Sequence, residues 1–167
     1  MDEGGADRGA PRPPALADLV QLARRLNERG ARYCVVGGMA MAHHGSTRLT
    51  KDIDLLVAAE EDNVRRVRDA LLHLPDRAAA ELAATDLQEY GVVRVADEIL
   101  IDLMAKACGL TLDDLSGRIE HVDYDGVPIP FASPEALLAT KGTVRPIDAA
   151  DRLFLTDLIA TRGRGPG

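Results

Sequence analysis

The chain has 167 residues, of which 46% are hydrophobic and 28% charged, a composition typical of one soluble domain with its own core. Its net charge of −7 and its aromatic content of 3% disfavour broad, sequence-independent binding to nucleic acid. We see no apolar run long enough to span a bilayer and no signal peptide, so we expect a cytoplasmic protein without a membrane partner. Cys34 and Cys108 lack metal-like spacing and are predicted to be buried, reduced thiols.

Hydrophobic periodicity and turn residues divide the first half of the chain into alternating helices and strands. The predicted elements are a disordered tail (1–14), a helix (15–29), a strand (33–36), a short helix (39–44), a polar loop (46–50), a strand (52–58) and a helix (60–74).

The second half of the chain is predicted to add two pairs of strands and two closing helices. The elements are an Ala-rich stretch that is helical or irregular (77–87), strands 91–96 and 98–104 around a tight turn at Asp97, one helical turn (111–115), a hairpin (119–124 and 127–131), helices 134–141 and 147–161, and a flexible tail (163–167). The last helix offers Leu153, Leu155, Leu158 and Ile159 as candidate core contacts. This order predicts one α+β domain over residues 15–162, a mixed β-sheet with helices packed mainly on one face.

Three acidic residues stand out because they interrupt apolar strands. Asp52 and Asp54 alternate with Ile53 on one strand, so both carboxylates point to the same face. At a separation of about 6–7 Å they repel by about 2–3 kcal/mol, which a bound Mg²⁺ would compensate. Asp102 is a lone acid in another apolar strand and is the candidate third ligand or a base for an incoming hydroxyl. The alternatives are an edge strand protected by charge and an Asp that caps a turn.

A diglycine turn and a polar loop surround the first two acids. Gly37-Gly38 would let backbone amides approach a phosphate closely, although any strand-to-helix turn can use glycine. The loop and the later chain supply hydroxyls and cations that suit a triphosphate, or that are simply solvated: Ser46, Arg48, Thr50, Lys51, Lys141 and Arg145. Asp148 and Asp151 are predicted to be helix-start and surface charges.

Taken together, these residues resemble the signature of the DNA polymerase β-like nucleotidyltransferase superfamily: a Gly-Gly turn, an Asp-x-Asp strand and a later lone Asp. Residues 44–54 (HGSTRLTKDID) are similar to the HG-x-x-R-x-T-x-D-I-D pattern of a small bacterial group related to AbiEii toxins and minimal nucleotidyltransferases. Residues 137–151 resemble that group's L-x-x-x-K and R-P-K-D-x-x-D patterns, with Ile147 in place of Lys. The resemblance covers about residues 17–160.

The resemblance implies a nucleotidyltransferase fold and a two-metal mechanism. Asp52, Asp54 and Asp102 would hold Mg²⁺ on a nucleoside triphosphate, and Asp102 would help activate a hydroxyl of RNA, protein or a small molecule. Arg48 and Lys51 would neutralise charge on the leaving pyrophosphate. Because the chain ends soon after the last helix, we expect a second copy or a partner protein to complete the acceptor cleft.

Three functions remain open at this point. The first is nucleotidyl transfer in a toxin–antitoxin or phage-defence setting, as the resemblance implies. The second is an inactive nucleotide-binding or antitoxin-type module, which Ile147 favours slightly. The third is an aminoglycoside-type small-molecule transferase, which the net charge of −7 would suit because such acceptors are polycations.

Overall fold

A computed structural model describes residues 10–142 and 145–164 of the chain. Its helices are α1 (Leu16–Glu28), α2 (Gly37–His43), α3 (Glu61–Leu71), α4 (Asp86–Tyr90), α5 (Pro134–Ala139) and α6 (Pro146–Arg164). Its strands are β1 (Tyr33–Val36), β2 (Asp52–Val57), β3 (Val92–Ala96), β4 (Leu100–Met104), β5 (Ile119–Tyr124) and β6 (Val127–Ala132). Short 3₁₀ turns span Ala78–Glu81 and Asp113–Leu115.

The six strands form one mixed sheet in the order β3-β4-β2-β1-β6-β5. The two central contacts that matter for the site are β1 with β2, which is antiparallel, and β2 with β4, which is parallel. The parallel pair needs a long crossover, and α3 lies in it. The predicted fold class, a mixed sheet with helices in one domain, is confirmed.

The core lies where apolar residues of the central strands meet α1 and α3. Ile53 and Leu55 of β2 and Ile101 and Leu103 of β4 are all fully buried. Helices α1 and α3 pack against each other and bury their apolar sides in the same cluster. Because side chains alternate along a strand, residues 52, 54 and 102 point to the opposite face.

Local sequence signals explain several of the element boundaries. The Ser133 hydroxyl accepts a hydrogen bond of 3.1 Å from the Ala136 amide, which caps α5 behind Pro134. The β5–β6 hairpin turns at Asp125 and Gly126, which have φ angles of +53° and +82°. Two positive φ angles at a two-residue turn match the right-handed twist of a hairpin.

Three predictions about burial are wrong. Cys108 is exposed, because it sits at a φ of +49° in a turn between Ala107 and Leu110. Leu153 is 72% exposed, whereas Leu155 on α6 is fully buried. Asp148 and Asp151 of α6, predicted to be surface charges, are buried.

The ends of the chain fall partly outside the described residues. Residues 1–9 of the predicted disordered tail lie there, as do residues 165–167 of the predicted flexible C-terminus. Within the described part, the Arg12 amide donates to the Glu98 carbonyl at 3.0 Å, and its guanidinium pairs with Asp18 and Glu98. Arg12 therefore holds this stretch against α1 and the turn that precedes β4.

Candidate functional site

The three aspartates converge on one face of the β2–β4 pair. Asp54 and Asp102 are directly opposite each other in the parallel register, and Asp52 lies two residues before Asp54 on the same strand. One oxygen from each carboxylate can be chosen so that all three lie within 4.8 Å of one another. The fold therefore brings together the three aspartates that the sequence pattern singled out.

Burial and mutual repulsion disfavour the charged form of this cluster. The pKa of Asp54 is raised to about 7, first by burial and then by the charges of Asp52 and Asp102, while the Lys141 ammonium acts against the rise. Burial and the Asp102 charge also raise the pKa of Asp52. A nearby cation stabilises a cluster of this kind, since it compensates the negative charges that the fold holds close together.

The donor set fits a hard divalent metal ion. Carboxylate oxygens are the ligands that Mg²⁺ and Mn²⁺ prefer, and three carboxylates from two adjacent strands can face one point. The three aspartates thus form an acidic cluster that could hold a metal.

The diglycine turn packs directly against this cluster. Gly37 has a φ of +66° and follows Val36, which is opposite Asp54 in the β1–β2 register. A Cβ atom at residue 37 would overlap the Asp54 carboxylate, and one at residue 38 would overlap the Thr50 side chain. Both glycines are required here by close approach, and Gly37 also by its positive φ.

Arg94 is the residue of this site that the sequence patterns missed. It lies on β3, opposite Asp102 of β4, and its guanidinium donates to Asp102 at 2.7 and 2.9 Å. A further bond of 3.1 Å reaches Oδ2 of Asp52. Its alternation between Val93 and Val95 marked it as facing away from the core, but only the strand register shows which acids it faces.

The polar loop before β2 is tied to the structure around it. The Thr50 hydroxyl donates to the Asp52 carbonyl at 2.9 Å, and the Arg48 amide approaches the Ser46 hydroxyl at 3.4 Å. Lys51 is exposed. Phosphate binding by these residues and by Gly37-Gly38 stays a prediction.

Two buried aspartates of α6 pair with cations from other parts of the chain, and Lys141 and Arg48 share one of them, Asp151. The Lys141 ammonium lies 3.0 Å from Asp151 and 3.7 Å from Asp148, and Arg48 binds both oxygens of Asp151 at 3.0 Å. Arg145 pairs with Asp148 at 3.1 Å. The two aspartates are 1–2% exposed, so their prediction as surface charges is wrong: cations from distant segments compensate their burial. Nucleotide binding by Lys141 and Arg145 stays a prediction.

A second group of ligand-type side chains lies at the end of α2. His43, His44 and Glu120 also place ligand atoms within 4.8 Å of one another. Each already has a partner, respectively a tyrosine hydroxyl, a backbone carbonyl and an arginine guanidinium. These contacts account for the three residues structurally.

The carboxylate cluster is not part of the surface cleft next to α4. That cleft, of about 730 Å³, lies at the other end of the two strands, where Val57, Tyr90 and Lys106 contribute to its lining. It contains none of the three aspartates.

Comparison with known protein families identifies the family to which this chain belongs. A family model described as the nucleotidyl transferase AbiEii toxin of type IV toxin–antitoxin systems matches residues 21–144. The chain belongs to the AbiEii nucleotidyltransferase family. This confirms the resemblance drawn from residues 44–54, and family membership makes the chain a nucleotidyltransferase by class. None of the curated proteins matches this AbiEii-family sequence.

Solved structures of nucleotidyltransferases share the fold of this AbiEii-family chain. The lincosamide antibiotic adenylyltransferase LnuA has 14% identity and a TM-score of 0.53, with 88% of this chain and 99% of that chain covered. An antigenic nucleotidyltransferase-like protein from Paracoccidioides brasiliensis has 18% identity and a TM-score of 0.51, with 89% and 79% covered. A candidate nucleotidyltransferase from Thermotoga maritima has 16% identity and a TM-score of 0.50, with 89% and 88% covered.

None of the helices within residues 10–142 and 145–164 combines the length and the apolar character needed to cross a bilayer.

Proposed function

We propose that this chain is a metal-dependent nucleotidyltransferase that transfers a nucleoside monophosphate from a nucleoside triphosphate to a hydroxyl acceptor and releases pyrophosphate. The observation that carries the proposal is the convergence of Asp52, Asp54 and Asp102 beside the Gly37-Gly38 turn. Asp52, Asp54 and Asp102 would hold Mg²⁺, which when bound neutralises charge on the phosphates.

The residues of the chain supply the remaining parts of the reaction. The Gly37-Gly38 turn lies against Asp54 and Thr50, and its backbone amides would be the donors to a phosphate beside the carboxylates. Asp102 accepts the proton of the acceptor hydroxyl as its oxygen bonds to the α-phosphorus, and the bond from that phosphorus to pyrophosphate breaks. Lys51 is exposed and would stabilise the departing pyrophosphate. Arg48 contributes mainly by fixing the loop, since Asp151 occupies its guanidinium.

A second copy or a partner protein would complete the acceptor side of the site. Two features support this: the cluster lies outside the cleft next to α4, and Leu49, three residues before Asp52, is 92% exposed. A toxin–antitoxin setting follows from the description of the family and gives RNA or protein as the first acceptors to test.

A small-molecule acceptor is the second candidate function. The net charge of −7 favours it, because aminoglycoside-type acceptors are polycations and would be attracted to an acidic protein.

Labelled nucleotides test the proposal directly. The purified protein is incubated with Mg²⁺ and each α-³²P-labelled nucleoside triphosphate, with total RNA, cell extract or aminoglycosides as acceptors. We expect pyrophosphate release and label on one acceptor class, and loss of both in Asp54→Ala. Asp123→Ala, which changes an exposed aspartate of β5, is the matched control and should retain activity. No release under any condition would favour the inactive nucleotide-binding module instead.

A further inference from the structure

Arg94 donates hydrogen bonds to the carboxylate oxygens that a metal ion would need as ligands. Its guanidinium binds both oxygens of Asp102 and one oxygen of Asp52, so three of the four oxygens in this pair already have a cationic partner. The Asp52 and Asp102 side chains are 22% and 14% exposed. A divalent ion that approaches these carboxylates therefore meets oxygens that already accept hydrogen bonds, and it is repelled by the positive charge of Arg94.

The position of Arg94 allows it to leave. Its side chain is 53% exposed on the edge strand β3, so the guanidinium can turn into water without disturbing the core. Ion pairs that reach water contribute little net free energy, because hydration and salt compensate for their loss. A divalent ion has twice the charge and binds several carboxylate oxygens at once, so it can replace this partner.

We propose that Arg94 is the resident counter-cation of the metal-free site and that a divalent metal ion displaces it from Asp52 and Asp102. This inference rests on the proposed metal-dependent function and adds a regulating residue to it. Arg94 keeps like charges together before the metal binds, and it lowers the affinity of the site for the metal.

Direct measurement of metal binding tests this inference without reference to activity. Mn²⁺, which also prefers oxygen ligands, is titrated into the metal-free protein and free Mn²⁺ is followed by electron paramagnetic resonance. We expect Arg94→Gln to lower the Kd for Mn²⁺ by about 2- to 5-fold, since a competing cation is gone. Arg94→Lys should fall in between, because a lysine cannot bind a carboxylate through two parallel hydrogen bonds.

Arg65→Gln is the matched control. Arg65 also makes exposed ion pairs, with Glu61 and Asp62 on α3, and its loss should leave the Kd unchanged. Thermal unfolding in EDTA verifies that each variant is folded.

Two results would overturn the inference, and they have different consequences for the proposed function. If wild type binds Mn²⁺ and Arg94→Gln binds it equally or more weakly, Arg94 is not a competitor, while the metal-dependent function stands. If neither wild type nor Arg94→Gln binds Mn²⁺, both this inference and the proposed metal dependence fail.

Discussion

The Asp54 carboxylate fills the position that a side chain at Gly37 would take. This contact links the diglycine turn to the acidic cluster. The glycine adopts a φ of +66°, and its missing side chain leaves room for the Asp54 carboxylate. Asp54 in turn is the aspartate whose pKa rises to about 7. At the scale of single residues, the site therefore depends on the absence of a side chain at Gly37 and on a carboxylate at Asp54 whose charged form is unfavourable.

Gly37→Ala should lower the free energy of unfolding by about 3 kcal/mol, through backbone strain and overlap with Asp54. Gly91→Ala is the control, since Gly91 also has a positive φ, of +79°, but nothing lies within 4 Å of a Cβ there. Gly91→Ala should lower the free energy of unfolding by only about 1 kcal/mol. Urea denaturation of the metal-free proteins measures both values, and equal losses would contradict the overlap.

The raised pKa of Asp54 predicts a pH dependence of stability. Between its ordinary value of 3.8 and about 7, the folded protein holds a proton that the unfolded chain releases. The free energy of unfolding therefore falls as pH rises through this window, by on the order of 2–4 kcal/mol in the metal-free protein.

Asp54→Asn removes this titration while preserving the shape of the side chain. Denaturation curves at pH 4, 5.5 and 7 should show a smaller loss of stability with rising pH in Asp54→Asn than in wild type. Parallel losses in the two proteins would show that Asp54 titrates normally.

At the scale of elements, an ion-pair network joins α6 to the loop before β2. Asp151 on α6 accepts two hydrogen bonds from Arg48 and forms an ion pair with Lys141, and these three residues come from distant parts of the chain. Asp151 is 2% exposed, so its charge is stable only because both cations are present.

Asp151→Ala should destabilise the protein by about 3–5 kcal/mol, because it leaves the buried Lys141 and the partly buried Arg48 without this partner. Asp157→Ala, at an exposed position of the same helix, should change stability by less than about 0.5 kcal/mol. Thermal and urea unfolding of the two variants measure the difference. A similar small effect of both substitutions would show that the network does not stabilise the fold.

The limits of sequence-based prediction are visible in these same elements. Asp52 and Asp54 could be predicted because alternation along a strand requires only local sequence. The burial of Asp148 and Asp151 could not, since it depends on Lys141 and Arg48, which reach them only in the folded chain.

Arg94 shows how a small error in a turn conceals a contact. A tight turn at Asp97 alone would pair Arg94 with Leu100, whereas the turn spans residues 97–99 and pairs it with Asp102. The Asp97 side chain is buried and accepts hydrogen bonds from the amides of Asp76, Ala78 and Glu98, which holds the wider turn. The register of β3 and β4 thus depends on contacts with a segment about twenty residues away.

At the scale of the whole molecule, an acidic surface accompanies a site for an anionic substrate. The net charge of −7 opposes non-specific attraction of nucleic acid, so a triphosphate must be held locally and any RNA acceptor specifically.

We expect the protein alone to bind a mixed-sequence single-stranded RNA oligonucleotide with a Kd weaker than about 100 µM at physiological salt. Fluorescence anisotropy at several salt concentrations measures this. Low-micromolar binding that weakens steeply with salt would contradict it and would indicate a basic surface that the net charge conceals.

The parallel pairing of β2 with β4 has a consequence for the order of folding events. Forty-two residues separate Val57 from Leu100, so the two strands meet only after a large loop has closed around α3. The acidic cluster does not exist in the unfolded chain or in any local hairpin, because its members come from both strands. Ions that bind the cluster should therefore act on the finished fold, slowing its unfolding more than they speed its formation.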